Sequence, residues 1–143
     1  MSIQPSILIV DDEFGLAEML REMLREYGYE VTLANNGRLA LDILKERRID
    51  LVITDVMMPV MDGSELATVM RKSKAHRDIP IVMMTSLPSA WSQHRELFDA
   101  VLRKPFTPAL LMQTIQDLFR TNGEGPDGDR RKGPPSSDPD QTR

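Results

Sequence analysis

Leu51-Val52-Ile53-Thr54-Asp55, running on into Val56-Met57-Met58-Pro59-Val60-Met61-Asp62-Gly63, is the stretch on which the fold turns. Its first four residues are large or β-branched with no polar alternation, the pattern of a strand buried on both faces inside a parallel sheet. The strand ends at Asp55, and Pro59 and Asp62-Gly63 break up the loop that follows. A carboxylate is thereby left at the carboxyl edge of the sheet, where open α/β sheets gather their ligand chemistry. Standing alone, such an aspartate would as readily cap the loop backbone. Asp55 does not stand alone. Ile7-Leu8-Ile9-Val10 makes a second buried strand, and it too ends in acids, Asp11, Asp12 and Glu13.

Working outward from these two strands, Phe14, Ala17, Leu20, Leu24 and Tyr27 recur at helical spacing, with Glu18, Arg21, Glu22, Arg25 and Glu26 between them. They predict an amphipathic helix closed by Gly28. Val31 to Ala34 reads as the next strand, and Asn35-Asn36-Gly37 turns into a helix that carries Leu39, Ala40, Ile43 and Leu44 and runs out near Arg47. After the organising strand, a helix is expected from about Ser64 to Arg71, capped by Asp62 or Ser64, with Leu66, Ala67 and Met70 facing inward. Ile79-Pro80 opens a strand through Met84 that ends at Thr85-Ser86. A weaker helix, Ser89 to Leu97, precedes a short strand, Ala100 to Leu102, which ends at Arg103-Lys104-Pro105. Thr107 as cap and Pro108 at the first helical position open a last helix whose apolar face is Leu110, Leu111, Ile115, Leu118 and Phe119.

Five strand-helix units in sequence, under the right-handed crossover rule, give a doubly wound α/β fold. The expected arrangement is a five-stranded parallel sheet in the flavodoxin-like order 2-1-3-4-5, with helices on both faces. One ordered domain is expected over residues 1–120. Residues 121–143 hold no large apolar side chain and are expected to form a disordered tail or linker. A chain of 143 residues suits a single domain, and its net charge of -4 leaves no electrostatic footprint for nucleic acid or an anionic membrane. With no cysteine, disulfides, thiolate metal sites and cysteine nucleophiles are excluded. No apolar run approaches a bilayer span and no leader pattern opens the chain, so the expected location is the cytoplasm.

In the 2-1-3-4-5 order the first and third strands are neighbours, which brings Asp11, Asp12 and Asp55 into one pocket with Thr85 and Lys104 on the adjoining strand ends. Three crowded carboxylates repel one another, and a hard divalent cation with oxygen ligands relieves them; Mg²⁺ is the natural candidate. Mg²⁺ bridges readily to phosphate oxygens, so the pocket suits a phosphoryl group. Lys104 supplies a point charge, Thr85 a hydroxyl donor, and a carboxylate is left as the nucleophile.

Taken as an ordered set, Asp11-Asp12, Asp55 with its Met-Met-Pro-Val-Met-Asp-Gly loop, Thr85 and Lys104-Pro105-Phe106 resemble the receiver domain of two-component response regulators, over about residues 5 to 120. The resemblance implies that Asp55 accepts phosphate from a histidine kinase or phosphotransfer protein, or from a small donor such as acetyl phosphate. It implies direct Mg²⁺ ligation by Asp12, Asp55 and the Met57 carbonyl, with Asp11 acting through water. It implies a cis Lys104-Pro105 bond, and no enzymatic activity beyond the domain's own phosphotransfer and dephosphorylation. Output would be protein contact with a downstream target, as a stand-alone receiver without nucleic-acid or membrane binding.

Four features depart from the family pattern, one of them Leu97-Phe98 in place of the usual glycine-alanine turn before the last strand. Val101 stands three residues before Lys104, where a switch aromatic is usual; Ser86 replaces the common alanine after Thr85; and the segment from Thr85 to Lys104 is short. The phosphorylation residues are untouched, so the expectation is an altered output face on the fourth helix, fifth strand and fifth helix, using Trp91 or Phe98. Rival readings are a receiver-like scaffold that does not use phosphate, a phosphatase, and a flavin binder. Met57 stands where a phosphatase would want a second acid, and Asp11-Asp12-Glu13 would repel a flavin phosphate. His76 and His94 read as solvated surface and the ten methionines mostly as core filling.

Overall fold

The computed structural model describes residues 4–123. Five strands, β1 (Ser6–Val10), β2 (Glu30–Ala34), β3 (Leu51–Asp55), β4 (Ile81–Thr85) and β5 (Ala100–Arg103), form one parallel sheet in the order β2-β1-β3-β4-β5. The helices are α1 (Phe14–Glu26), α2 (Gly37–Glu46), α3 (Gly63–Lys72), α4 (Pro88–His94), followed by a 3-10 turn (Arg95–Leu97), and α5 (Pro108–Gly123). The doubly wound order expected from the sequence is the one observed. Val10 pairs with Thr54 across the β1–β3 junction, and this register sets Asp11 and Asp55 side by side at the carboxyl edge.

Side-chain alternation splits the strands between two cores. Leu8, Val10, Val52, Ile81 and Met83 pack in one cluster with Ala40 and Leu44 of α2 and Leu66, Ala67 and Met70 of α3. Ile7, Ile9, Ile53, Val82 and Met84 point to the opposite face, and α1 lies along β1 and β2 with Ala17, Leu20 and Leu24 buried. Residues through Phe106 make up one compact unit holding all five strands and α1 to α4; α5 belongs to a second, which opens at Thr107. Within α5, Thr107 Oγ1 accepts the Leu110 N–H at 3.0 Å, the expected cap.

Helix ends follow their sequence signals. α1 closes with the Tyr29 and Gly28 N–H groups donating to Leu24 O and Arg25 O, and Gly28 takes φ +94, a region that costs glycine little. α3 opens with a reciprocal capping box between Asp62 and Glu65, so of the two candidate caps Asp62 is the one used. Gly63 has no choice of side chain, because a Cβ there would collide with the Asp55 carbonyl oxygen.

Several expected core positions lie outside. Phe14 is 71% exposed, and Tyr27, Leu39 and Leu110 are exposed as well, while Met112 replaces Leu110 among the buried residues of α5. Phe14 and Tyr27 stand at the two ends of α1 and Leu39 in the first turn of α2, where a periodic stripe runs past the sheet it packs on. β4 starts at Ile81 rather than Ile79, α4 gives way to the 3-10 turn after His94, and α5 continues to Gly123. Phe98, expected as an output aromatic, is buried in the cluster beside α3. The Trp91 side chain and residues 124–143 lie outside what is described, and so does most of the expected tail. His76 is no free surface group: its Nε2 lies 3.1 Å from Leu44 O and its Nδ1 3.3 Å from Ser73 Oγ, tying the loop after α3 to the end of α2.

Candidate functional site

Four strand ends converge at the carboxyl edge. Asp11 follows β1 directly, and its carboxylate is fully buried; one oxygen accepts the Glu13 N–H at 2.9 Å. Asp55 closes β3 with its side chain 16% exposed, and Oδ1 accepts the Val56 N–H at 2.8 Å. Between them sits Lys104, whose Nζ is 3.4 Å from Asp11 Oδ2 and 3.4 Å from Asp55 Oδ2. Its main chain is held by donation from Lys104 N to Thr85 O at 2.9 Å, and the Lys104-Pro105 peptide is cis, as expected. Asp12 is exposed at the mouth.

One carboxylate oxygen from each of Asp11, Asp12 and Asp55 lies within 4.8 Å of the others. Three carboxylates facing a single ammonium, held at distances long for a charge-assisted bond, leave the pocket with negative charge unneutralised. Burial pushes the Asp55 carboxyl above the ordinary carboxylate range; Lys104 pulls it back, Asp11 adds to the rise, and the Val56 N–H opposes it. The donors are all oxygen, closely grouped and anionic, which fits a hard divalent cation such as Mg²⁺.

Thr85 ends β4, buried to 3% exposure, but its hydroxyl is not bonded into the carboxylate cluster. Its Oγ1 accepts the Leu87 N–H at 2.9 Å and donates to Leu87 O at 3.3 Å. Met57 lies two residues past Asp55 with its side chain 65% exposed. Sequence reasoning missed the backbone donors of Glu13 and Val56, which no side-chain pattern announces. It also missed Thr54, whose buried hydroxyl donates to Asp55 O at 2.8 Å, although its place before the strand-ending acid was a clue. Val60 was missed too: it has φ +72 and centres a γ-turn in which Met61 N donates to Pro59 O at 2.7 Å.

The family model of the response regulator receiver domain matches residues 7–116. The chain belongs to this family. The probable transcriptional regulator ycf27 of Cyanidium caldarium is 40% identical to the receiver over 120 residues, which make up 82% of this chain and 47% of that protein. The DNA-binding response regulator MtrA of Mycobacterium tuberculosis is 34% identical over 128 residues, 87% of this chain and 55% of the relative. The receiver thus spans about half the length of the curated relatives it matches. Among solved structures, the response regulator TrrA of Thermotoga maritima, in complex with Mg²⁺-BeF, superposes with a TM-score of 0.75 at 35% identity, covering 80% of this chain and 99% of that one. Receiver domains bind Mg²⁺ in their active site, and the acidic cluster here is of the kind that does so.

Proposed function

We propose that this receiver is a phosphorylation-dependent signalling switch with Asp55 as phosphoacceptor. The observation that carries the reading is the pairing of one half-neutralised, partly desolvated carboxylate with a lysine shared between two acids. Burial raises the basicity of Asp55, and with it the reactivity of an oxygen that must attack phosphorus. In the transfer, an Asp55 oxygen bonds to phosphorus as the phosphorus–nitrogen bond of a phosphohistidine breaks, and the electron pair goes to the leaving imidazole, which water protonates. The donor is a histidine kinase or phosphotransfer protein, with acetyl phosphate as a small substitute. Mg²⁺ held by Asp12, Asp55 and the Met57 carbonyl, with Asp11 through water, would supply charge neutralisation for the phosphoryl oxygens.

Lys104 then exchanges its carboxylate partner for a phosphoryl oxygen, and Thr85 turns its hydroxyl from Leu87 O toward another. That leaves Leu87 O without its donor, so the loop into α4 responds to the state of Asp55. Beyond this self-directed phosphotransfer no enzymatic role is proposed. Output is protein contact, whether with a separate target, as for a stand-alone receiver, or with a neighbouring domain. Relatives are named as DNA-binding regulators, but a chain with net charge -4 is a poor surface for nucleic acid, and DNA contact is not assigned to this domain. The proposed extent of the domain is 1–120, and its proposed site of action is the cytoplasm; among the described residues no helix is long and apolar enough to cross a membrane.

The test is intact mass after incubation with acetyl phosphate and Mg²⁺. A single phosphoryl increment, absent in Asp55→Asn and without Mg²⁺, is expected. An unmodified wild-type chain would favour a scaffold that does not use phosphate.

A further inference from the structure

A groove of about 720 Å³ runs between α3 and α4 and opens beside the loop that carries Asp55. We propose that this groove is the receiver's docking surface for a partner peptide, a short apolar segment flanked by lysine or arginine. The proposal rests on the switch reading above and names the surface through which it acts. Five apolar residues line the groove, Val56, Met57, Met61, Val69 and Leu87. Met57, Val69 and Leu87 are 65%, 41% and 52% exposed, so this is an open trough suited to a length of chain rather than an enclosed cavity for a small molecule. Methionine walls adapt to the side chains laid against them.

Charge selects the occupant. Asp62 and Glu65 line the trough, and no lysine or arginine is among its described lining residues. An acidic partner would meet like charge there, and a basic one its complement. Ser64 lines the same trough, its Oγ buried and without a hydrogen-bond partner.

The groove is wired to the phosphoacceptor at two points. Val56, in its lining, donates its N–H to Asp55 Oδ1 at 2.8 Å. Leu87, on the opposite wall, has its N–H 2.9 Å from the Thr85 hydroxyl and its carbonyl 3.3 Å from the same oxygen. Each wall is therefore bonded to a group that must rearrange when phosphate arrives on Asp55, so the width of the trough reports the state of the site.

The test selects short peptides from a random phage library on the full chain loaded with Mg²⁺ and beryllium fluoride. Enriched peptides are then titrated by fluorescence anisotropy against loaded and unloaded wild type, Val69→Lys and Leu87→Lys. A consensus of apolar residues flanked by Lys or Arg is expected, with binding at least about tenfold weaker in each variant and different between the loaded and unloaded wild type. The two variants lie on separate elements, and melting curves identify either one that fails to fold. No enrichment, an acidic consensus, or binding indifferent to both folded variants overturns the proposal. So does a doubled mass in solution abolished by Val69→Lys, which would make a second copy the occupant. Intact mass of phosphorylated wild type runs in parallel: no adduct refutes the switch reading itself, whereas an adduct with equal loaded and unloaded affinities refutes the groove as its output.

Discussion

Strand β3 has an aspartate at each end, and the two lead different lives. Asp50, just before the strand, has both oxygens filled: Oδ2 accepts the Ser6 N–H at 2.8 Å and Oδ1 the Arg48 Nε–H at 3.0 Å. Asp55, at the other end, has one short backbone bond and a lysine 3.4 Å away that it shares with Asp11. The same contrast runs across the sheet. At the amino edge Asp99 precedes β5 and accepts from Ile81 N and Arg71 Nη2, both at 2.8 Å, while at the carboxyl edge Asp11 and Asp12 add charge instead of removing it. Aspartates at the amino edge are thus engaged by backbone and arginine donors, while those at the carboxyl edge share one lysine. The unsatisfied edge is where an incoming cation or phosphoryl group has something to gain.

The contrast breaks most visibly at Arg71. Its guanidinium donates to Leu97 O, Arg77 O, Ile79 O and Asp99, gathering the end of α3, the following loop and the 3-10 turn around the starts of β4 and β5. Arg71→Ala leaves three carbonyls and a carboxylate without that donor and is expected to cost about 3 kcal/mol in urea unfolding. Arg71→Lys should recover only a minor part, since one ammonium cannot reach all four acceptors. A loss below about 1 kcal/mol would mean that the amino edge is not the anchored one.

The carboxyl edge should respond in the opposite sense, gaining stability from an added cation. Mg²⁺ at a hundred times its dissociation constant is expected to stabilise the wild type by about 2.7 kcal/mol, read as a rise in melting temperature. Asp12→Asn should abolish most of that rise, and Asp50→Asn none of it. Calcium at the same concentration is expected to give a smaller rise, and an equal one would mean that the effect is charge alone.

Acid titration sharpens the comparison further. The folded protein holds a proton on Asp55 more tightly than the unfolded chain does, because burial and Asp11 raise its pKa. Ionised Asp55 therefore costs stability: the cost is absent below the ordinary carboxylate pKa, grows as pH rises toward the folded value, and is full above it. Asp55→Asn removes it. The variant should be the more stable protein at neutral pH in the absence of Mg²⁺, with an advantage that shrinks as pH falls through the acid range. An advantage that stays flat with pH would place the strain elsewhere.

How much of this was legible in the sequence follows the same divide. Buried parallel strands announce themselves by unbroken apolar runs, and their ends fix where the acids fall; chain order alone leaves the strand order open, and it was the arrangement most common for five such units, 2-1-3-4-5, that grouped Asp11, Asp12, Asp55 and Lys104. Capping chemistry is local, so Asp62 and Thr107 were readable as well. The Arg71 anchor was not, because three of its four acceptors are backbone carbonyls that carry no residue signature. Nor was the present engagement of Thr85 with Leu87, a loop contact of the same kind. Phe14 and Tyr27 were misplaced for a different reason: periodicity records which side of a helix is apolar, not how far the neighbouring sheet extends beneath it.

Backbone strain divides between the edges in the same way as charge. At the amino edge the left-handed residue is Gly28, φ +94, which tolerates that conformation. At the carboxyl edge it is Val60, φ +72, 79% exposed and β-branched, in the loop between Asp55 and the start of α3. No buried contact of that side chain accounts for the conformation, so the strain is carried by the loop on either side: the Met61 N–H bonded to Pro59 O and the capping box at Asp62. Val60→Gly should relieve it and stabilise the receiver by about 1 kcal/mol, the relief being partly offset by the greater entropy of an unfolded glycine. Gly28→Ala should do the reverse by about the same amount, since open space surrounds its Cβ and only the backbone objects. If the strain also holds the Met57 carbonyl in place, Val60→Gly will weaken Mg²⁺ binding while raising the melting temperature of the metal-free protein. Gly28→Ala will lower the melting temperature and leave Mg²⁺ binding alone. Parallel effects of the two substitutions on metal affinity would show that the edges are not energetically distinct.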